Sequence, residues 1–275
     1  MMNQQQVIRK ARLSMIGCLI AVTLAVNAII LLSSESEAKN FYGNVLRPIT
    51  AAIATAFAVI VVQKQKISGS FGKSYFGLAV GSTLYFIAEV IWGYYSIGLG
   101  IEVPFPSLAD GFWLAAYAPF GYGLFKLSGL YTGRKKRTRP TIIIGALVAV
   151  FSSFYIYELV LVSDLSTQDG LVALAIGIAY PVLDAILIIP AVLALLSSGK
   201  GYLTAVPWIF ISWVLTAIAD TIFGFTAIMG DAGELSIWNL FYNAAYLTMA
   251  AGLFWHLKYM IFKPRKIAPN DNFGK

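Results

Sequence analysis

A single cysteine, Cys18, and a single histidine, His256, occur in 275 residues. One of each cannot build a zinc site or a pair of axial haem ligands, and a lone cysteine closes no internal disulfide. Serine and threonine abound, yet no histidine base stands near them, so no hydrolytic triad is written. No phosphate-cradling glycine loop and no nucleophile elbow occurs. The last apolar run carries no mid-membrane lysine, which argues against a retinal Schiff base. No cofactor is implied. Charge is scarce as well: Asp, Glu, Lys and Arg make up 12% of the chain, against roughly 25% in a soluble domain.

What fills the chain instead is apolar. Hydrophobic residues make up 59% and the mean hydropathy is +0.75. A chain with so little water-facing chemistry is covered by lipid, so an all-α polytopic membrane protein is expected. The net charge of +7 does not point to nucleic acid, because the basic residues sit in short clusters between apolar runs, as topology signals do.

Eight runs approach the ~20 residues that a helix needs to cross the hydrocarbon core: about 14–33, 46–63, 75–98, 108–129, 141–162, 171–197, 204–229 and 236–262. The first lacks a cleavage signal and reads as a span. The connections alternate in sign. Arg9, Lys10 and Arg12 precede the first run, and the mainly acidic "SSESEAKN" follows it. Lys64, Lys66 and Lys73 come next, then "GIEVPFPS" with Glu102, then the strongly basic "GRKKRTRP". Asp164 and Asp169, Lys200, Asp231 and Glu234, and a tail with Lys263, Arg265 and Lys266 continue the alternation. Eight transmembrane helices in a cell membrane follow, with both termini cytoplasmic.

The chain also repeats itself. "FWLAAYAPFGYGLF" at 112–125 shares seven of fourteen positions with "FYNAAYLTMAAGLF" at 241–254. "AEVIWG" at 88–93 matches "ADTIFG" at 219–224, and "RPITAAI" at 47–53 aligns with "YPVLDAI" at 180–186. The expected organisation is two parallel four-helix repeats, 1–132 and 133–262, followed by a short tail, 263–275.

Glu89 and Asp220 occupy equivalent positions of this repeat, at similar depth in the outer half of the membrane. They should face each other or line matching sides of one cavity. Asp184 adds a third acid near the middle of the sixth run, where the first repeat has Ala51. Such groups are costly against lipid and should face the bundle, protonated or hydrogen-bonded. No Lys or Arg is expected at matching depth, with Arg47 assigned to the outer end of the second run. Hydroxyls and amides are the candidate partners: Tyr85, Tyr94, Tyr117, Thr221, Asn239, Asn243 and Tyr246. Asp110 follows Ser107 by three residues, as in a capping box; the alternative is that it rims an outward pocket with Trp92, Trp113 and Tyr117. The acids are either interhelical packing contacts or a ligand, ion or proton site. His256 is expected at the membrane interface.

The stretch "GSTLYFIAEVIWGYYSIGLGIEVPFPSLADGFWLAAY", with "AYPVLDAILI" and "WVLTAIADTIFGF", resembles a multi-span membrane region of bacteria and archaea. That region typically precedes GGDEF- or EAL-type cyclic-dinucleotide enzymes or histidine kinases. The resemblance covers roughly residues 46–255. It implies a sensory or ligand-binding role, with Glu89, Trp92, Pro106, Ser107, Asp110, Tyr117, Asp184 and Asp220 on its recurrent positions. No cyclase, phosphodiesterase or kinase follows the last run, so output is expected to pass through a cytoplasmic partner or through subunits of a membrane complex. A weaker likeness is to bacterial lysoplasmalogenase-like membrane enzymes. The readings weighed are a sensor module, a proton- or cation-coupled transporter, and a carboxylate-dependent intramembrane lipid hydrolase.

Overall fold

The computed structural model describes residues 4–33, 35–101, 103–131, 138–163, 166–197, 206–229 and 237–262. Glu102, Asp164, Lys200, Asp231, Glu234, basic residues 134–137 and the tail 263–275 lie outside the described residues. The described residues form helices and no strand: α1 (Gln4–Leu31), α2 (Ser36–Gln65), α3 (Gly69–Gly93), α4 (Leu108–Tyr131), α5 (Thr138–Val162), α6 (Gln168–Ser197), α7 (Val206–Met229) and α8 (Ile237–His256). A π-helical turn, Tyr94–Gly98, ends α3, and another, Leu257–Ile261, extends α8.

Among the described residues, five helices are long and apolar enough to cross a membrane: Arg9–Leu31, Ser36–Gln65, Gly69–Gly98, Gly170–Leu193 and Pro207–Thr226. The chain is thus a membrane protein. In α5 a shorter apolar stretch, Gly145–Leu161, qualifies only by composition. Helices α4 and α8 fall short because they carry Asp110, Lys126, Asn239, Asn243 and several tyrosines, most of them turned inward. A helix surrounded by protein has no need of a fully apolar surface.

Helices also extend beyond the apolar runs. Arg9, Lys10 and Arg12 are helical, and α2 starts inside the acidic "SSESEAKN", ten residues before the apolar run at 46. That shift changes the depth assigned to Arg47, as described below.

Side-chain pairs give the helix directions. Trp92 meets Trp113 and Tyr85 meets Phe120, so α3 and α4 are antiparallel. Tyr242 bonds Asp220 and Trp238 meets Phe223, so α7 and α8 are antiparallel. By contrast, Asp110 pairs with Tyr180 and Tyr117 with Asp184, which makes α4 and α6 parallel. Thr50 with Asn243 and Phe57 with Phe254 make α2 and α8 parallel too.

The α3–α4 interface is the tightest. A Cβ at Gly77 would lie 2.6 Å from the Pro119 carbonyl oxygen, and one at Gly123 2.7 Å from that of Ser74. Only glycine lets the two backbones approach so closely. At the periphery, only 6% of the most apolar stretch of α1 is buried, against 56% in α7. Leu24, Leu147 and Val150 of α1 and α5 are exposed accordingly, as side chains that face acyl chains are.

Candidate functional site

Four helices supply the first acid cluster. Asp184 (α6), Asp220 (α7), Tyr117 (α4) and Tyr242 (α8) are all buried. The Tyr117 hydroxyl lies 2.8 Å from Asp184 Oδ1 and 2.9 Å from Asp220 Oδ2. The Tyr242 hydroxyl donates to Asp220 Oδ1. Tyr117 has one proton and can donate it to only one of these carboxyls. For the other contact to be a hydrogen bond as well, that carboxyl must carry a proton and donate it to the phenol oxygen. The Asp184–Tyr117–Asp220 bridge is therefore satisfied only when a proton is shared across three helices.

The second cluster corrects a sequence expectation. Arg47 does not sit at the outer edge of its span: it is 1% exposed, with its Nε 3.5 Å from Glu89 Oε2. Counting from the short α2–α3 turn explains why. Arg47 lies eighteen residues before Gln65 and Glu89 twenty after Gly69, so both reach the same height. Glu89 Oε1 accepts a 2.7 Å hydrogen bond from the Tyr246 hydroxyl. Arg47 Nη2 donates to Asn44 Oδ1 at 3.0 Å, and its guanidinium lies 5.4 Å from the Trp92 ring centre and 5.8 Å from that of Tyr242. Trp92 Nε1 donates to the same Asn44 oxygen. Asn243 accepts from Thr50 at 3.0 Å and tethers α8 to α2.

Glu89 and Asp220 share no hydrogen bond among the described residues. Tyr242 and Tyr246, one turn apart on α8 and stacked at 6.4 Å, stand between the two clusters. Tyr242 thus touches both clusters, through its ring on Arg47 and its hydroxyl on Asp220.

Asp110 is held inside the protein by hydrogen bonds. It is 1% exposed, and both its oxygens are engaged. Oδ2 accepts the Ser107 N–H at 2.7 Å and the Ser107 hydroxyl at 3.0 Å, while Oδ1 accepts the Tyr180 hydroxyl at 2.7 Å. The carboxylate thus makes its half of a capping box and ties α4 to α6. Trp113 is buried and packs on Trp92, with ring centres 5.6 Å apart. Tyr94 is exposed, and Thr221 bonds its own helix.

His256 is buried within the bundle at the end of α8. Its Nε2 lies 2.7 Å from Gln65 Oε1, an acceptor, and its Nδ1 lies 3.0 Å from the Tyr75 hydroxyl. A neutral imidazole protonated on Nε2 satisfies both contacts, and both ring nitrogens are then used. It locks α2, α3 and α8 together.

Two cavities adjoin these groups. The first, about 20 Å³, lies at the bundle centre and is lined by Tyr85, Ser212, Trp213 and Tyr246 among others. The Tyr85 hydroxyl and Trp213 Nε1 have no hydrogen-bond partner there. The second, about 340 Å³, lies between α5, α6 and α7 and reaches Asp184. Asp184 thus lines a cavity as well as the proton-sharing bridge.

Sequence reasoning did not single out Asn44, Tyr180 or Tyr242, and it placed Arg47 away from the acids. For Arg47 the register count from the α2–α3 turn was the available signal. For Tyr180 it was the four-residue spacing to Asp184 on one face of α6.

Comparison with protein-family models, with curated proteins and with solved structures gives no match.

Proposed function

We propose that the chain is an integral-membrane sensor, a receptor-like module whose ligand or proton is taken up at the Asp184–Tyr117–Asp220 site and whose output is a change in helix packing. One observation carries this reading: a single phenolic hydroxyl lies within 2.8 and 2.9 Å of carboxyl oxygens on two other helices. Removing the shared proton turns that bridge into a contact between like charges. Ligand or proton uptake is thereby coupled to the packing of α4, α6 and α7, which a cytoplasmic partner or a neighbouring membrane subunit would read. The resemblance to membrane regions attached to cyclic-dinucleotide enzymes and histidine kinases favours the same role.

The architecture proposed with it is eight spans in two parallel four-helix repeats, with both termini in the cytoplasm. The packing partners support the repeat: α2 lies on α3 and α8, as α6 lies on α7 and α4. Peripheral α1 and α5 are likewise equivalent. Two hydrogen bonds also correspond, Tyr117 to Asp220 and Tyr246 to Glu89, each joining one repeat to the other. Arg47 then occupies the position held by Tyr180 in the second half, so the acid clusters have diverged in charge.

Carboxyl infrared difference spectroscopy tests the reading. A protonated-carboxyl band that responds to pH is expected, absent from Asp184→Asn or Asp220→Asn and retained in Glu89→Gln. If the variants change only thermal stability and no such band exists, the acids are packing contacts and the sensor reading fails. The shared proton also favours a second reading, a proton-coupled carrier. Proton flux into proteoliposomes that Asp184→Asn abolishes would select it over the sensor.

A further inference from the structure

The groove between α5, α6 and α7 has the size, polarity and position of a ligand site. Its volume of about 340 Å³ falls at the low end of the ~300–1,000 Å³ range of small-molecule pockets. Its walls are hydrocarbon apart from Ser152, Thr221 and Asp184. Thr221 spends its hydroxyl on the Ala217 carbonyl. Asp184 Oδ2 is buried and accepts from no N–H or hydroxyl among the described residues, and the Asp184 carboxyl can hydrogen-bond that of Asp220 when the two share a proton. When that proton is elsewhere, the unsatisfied acceptor costs about 1–3 kcal/mol, which a donor in the groove would recover.

The position decides where that donor comes from. Leu147, Phe151 and Ile218 line the groove and are exposed. Each lies within a few residues of the midpoint of its helix, as Asp184 does of α6. The mouth therefore opens sideways at mid-membrane, facing acyl chains rather than water. A strongly hydrated ion or sugar cannot reach it without crossing hydrocarbon.

We infer that this groove binds a hydrocarbon-soluble molecule of roughly ten heavy atoms, at ~30 Å³ each, that ends in one hydrogen-bond donor, an alcohol or an amine, set against Asp184. The inference deepens the sensor reading and rests on its assignment of Asp184 to the ligand site. A donor on Asp184 acts directly on the carboxyl that shares a proton with Tyr117 and Asp220, so occupancy and helix packing are linked through one side chain.

The test uses the full chain in lipid nanodiscs and a photoreactive ten-carbon alcohol, with crosslinks mapped by peptide mass spectrometry. Labelling is expected at the groove faces of α5, α6 and α7. 1-Decanol and decylamine should displace the probe at concentrations at least about tenfold below decane, and decanoate no better than decane. In Asp184→Leu the alcohol's advantage over decane should fall below about twofold. Ile218→Trp, which fills the mouth and leaves the acid intact, should reduce labelling altogether. Equal competition by decane and 1-decanol in the wild-type protein, or labelling confined to other helices, overturns the inference. If that happens while the pH-responsive carboxyl band persists, the ligand class is wrong and the sensor reading stands. If the band is absent and the alcohol still wins, the groove binds lipophiles and the proton-sharing sensor falls.

Discussion

Replacing Arg47 by methionine should be among the most damaging single changes in the membrane interior. The variant keeps most of the side-chain volume and loses the charge. Three interactions go with it. The hydrogen bond to Asn44 at 3.0 Å involves a charged donor, a class worth about 1.5–3 kcal/mol. The contacts with Trp92 and Tyr242 at 5.4 and 5.8 Å contribute about 0.5–2 kcal/mol each where desolvated. The third loss is the counter-charge to Glu89, which is then held by Tyr246 alone. Losses in one network do not add, and breaking a buried ion pair typically costs about 3–5 kcal/mol in total. That is the loss expected for Arg47→Met, measured by SDS-titrated unfolding in mixed micelles. Glu89→Met should cost a similar amount, because it strands the guanidinium. The double variant should recover to within about 2 kcal/mol of wild type, since an apolar pair of similar size removes both desolvation costs at once. A loss below about 1 kcal/mol for Arg47→Met, the value of a solvent-exposed pair, would refute the buried pairing. So would additive losses in the double variant.

Two further comparisons separate groups that look alike in sequence. Tyr117→Phe removes a hydroxyl in contact with two carboxyls and should cost about 1.5–3 kcal/mol, while Tyr85→Phe removes one without a partner and should stay within about 0.5 kcal/mol; the same unfolding assay ranks them, and equal losses would contradict the hydrogen-bond pattern. Gly77→Ala forces a Cβ to 2.6 Å from the Pro119 carbonyl oxygen and should cost about 1–3 kcal/mol. At Gly129, whose Cβ would meet nothing within 4 Å, the same change should stabilise by about 0.4–1 kcal/mol. Thermal midpoints in detergent should therefore move in opposite directions, and a common direction would rule out the close α3–α4 approach.

Much of the site was legible in pieces. Glu89, Asp184 and Asp220 stand out because an acid in a long apolar run is expensive unless it has a partner. Tyr117 and Tyr246 stand out through the similarity of their surroundings, "AAYAPFGYGLF" and "AAYLTMAAGLF". The pairing was not legible. Glu89 and Asp220 correspond in sequence, yet the first meets an arginine and the second shares a phenol with Asp184. Arg47 was misjudged because hydropathy marks where a run becomes apolar, while α2 begins at Ser36, ten residues earlier. The contacts of His256 were not legible because its partners, Gln65 and Tyr75, are nearly two hundred residues away in the chain.

Class belongs to the sequence alone. Whether a stretch of about twenty residues can lie in lipid depends on its own side chains, and five of the described helices satisfy that criterion without reference to any neighbour. Contacts between helices belong to the tertiary structure. Which side chains meet depends on the rotation and height of each helix against the next. Those are decided jointly by close approaches such as Gly77 on Gly123, by rings such as Trp92 on Trp113, and by where each helix ends. No one segment carries that information, so the bridge of Tyr117 between two carboxyls, the buried arginine beside Glu89 and the groove at Asp184 exist only in the assembled bundle.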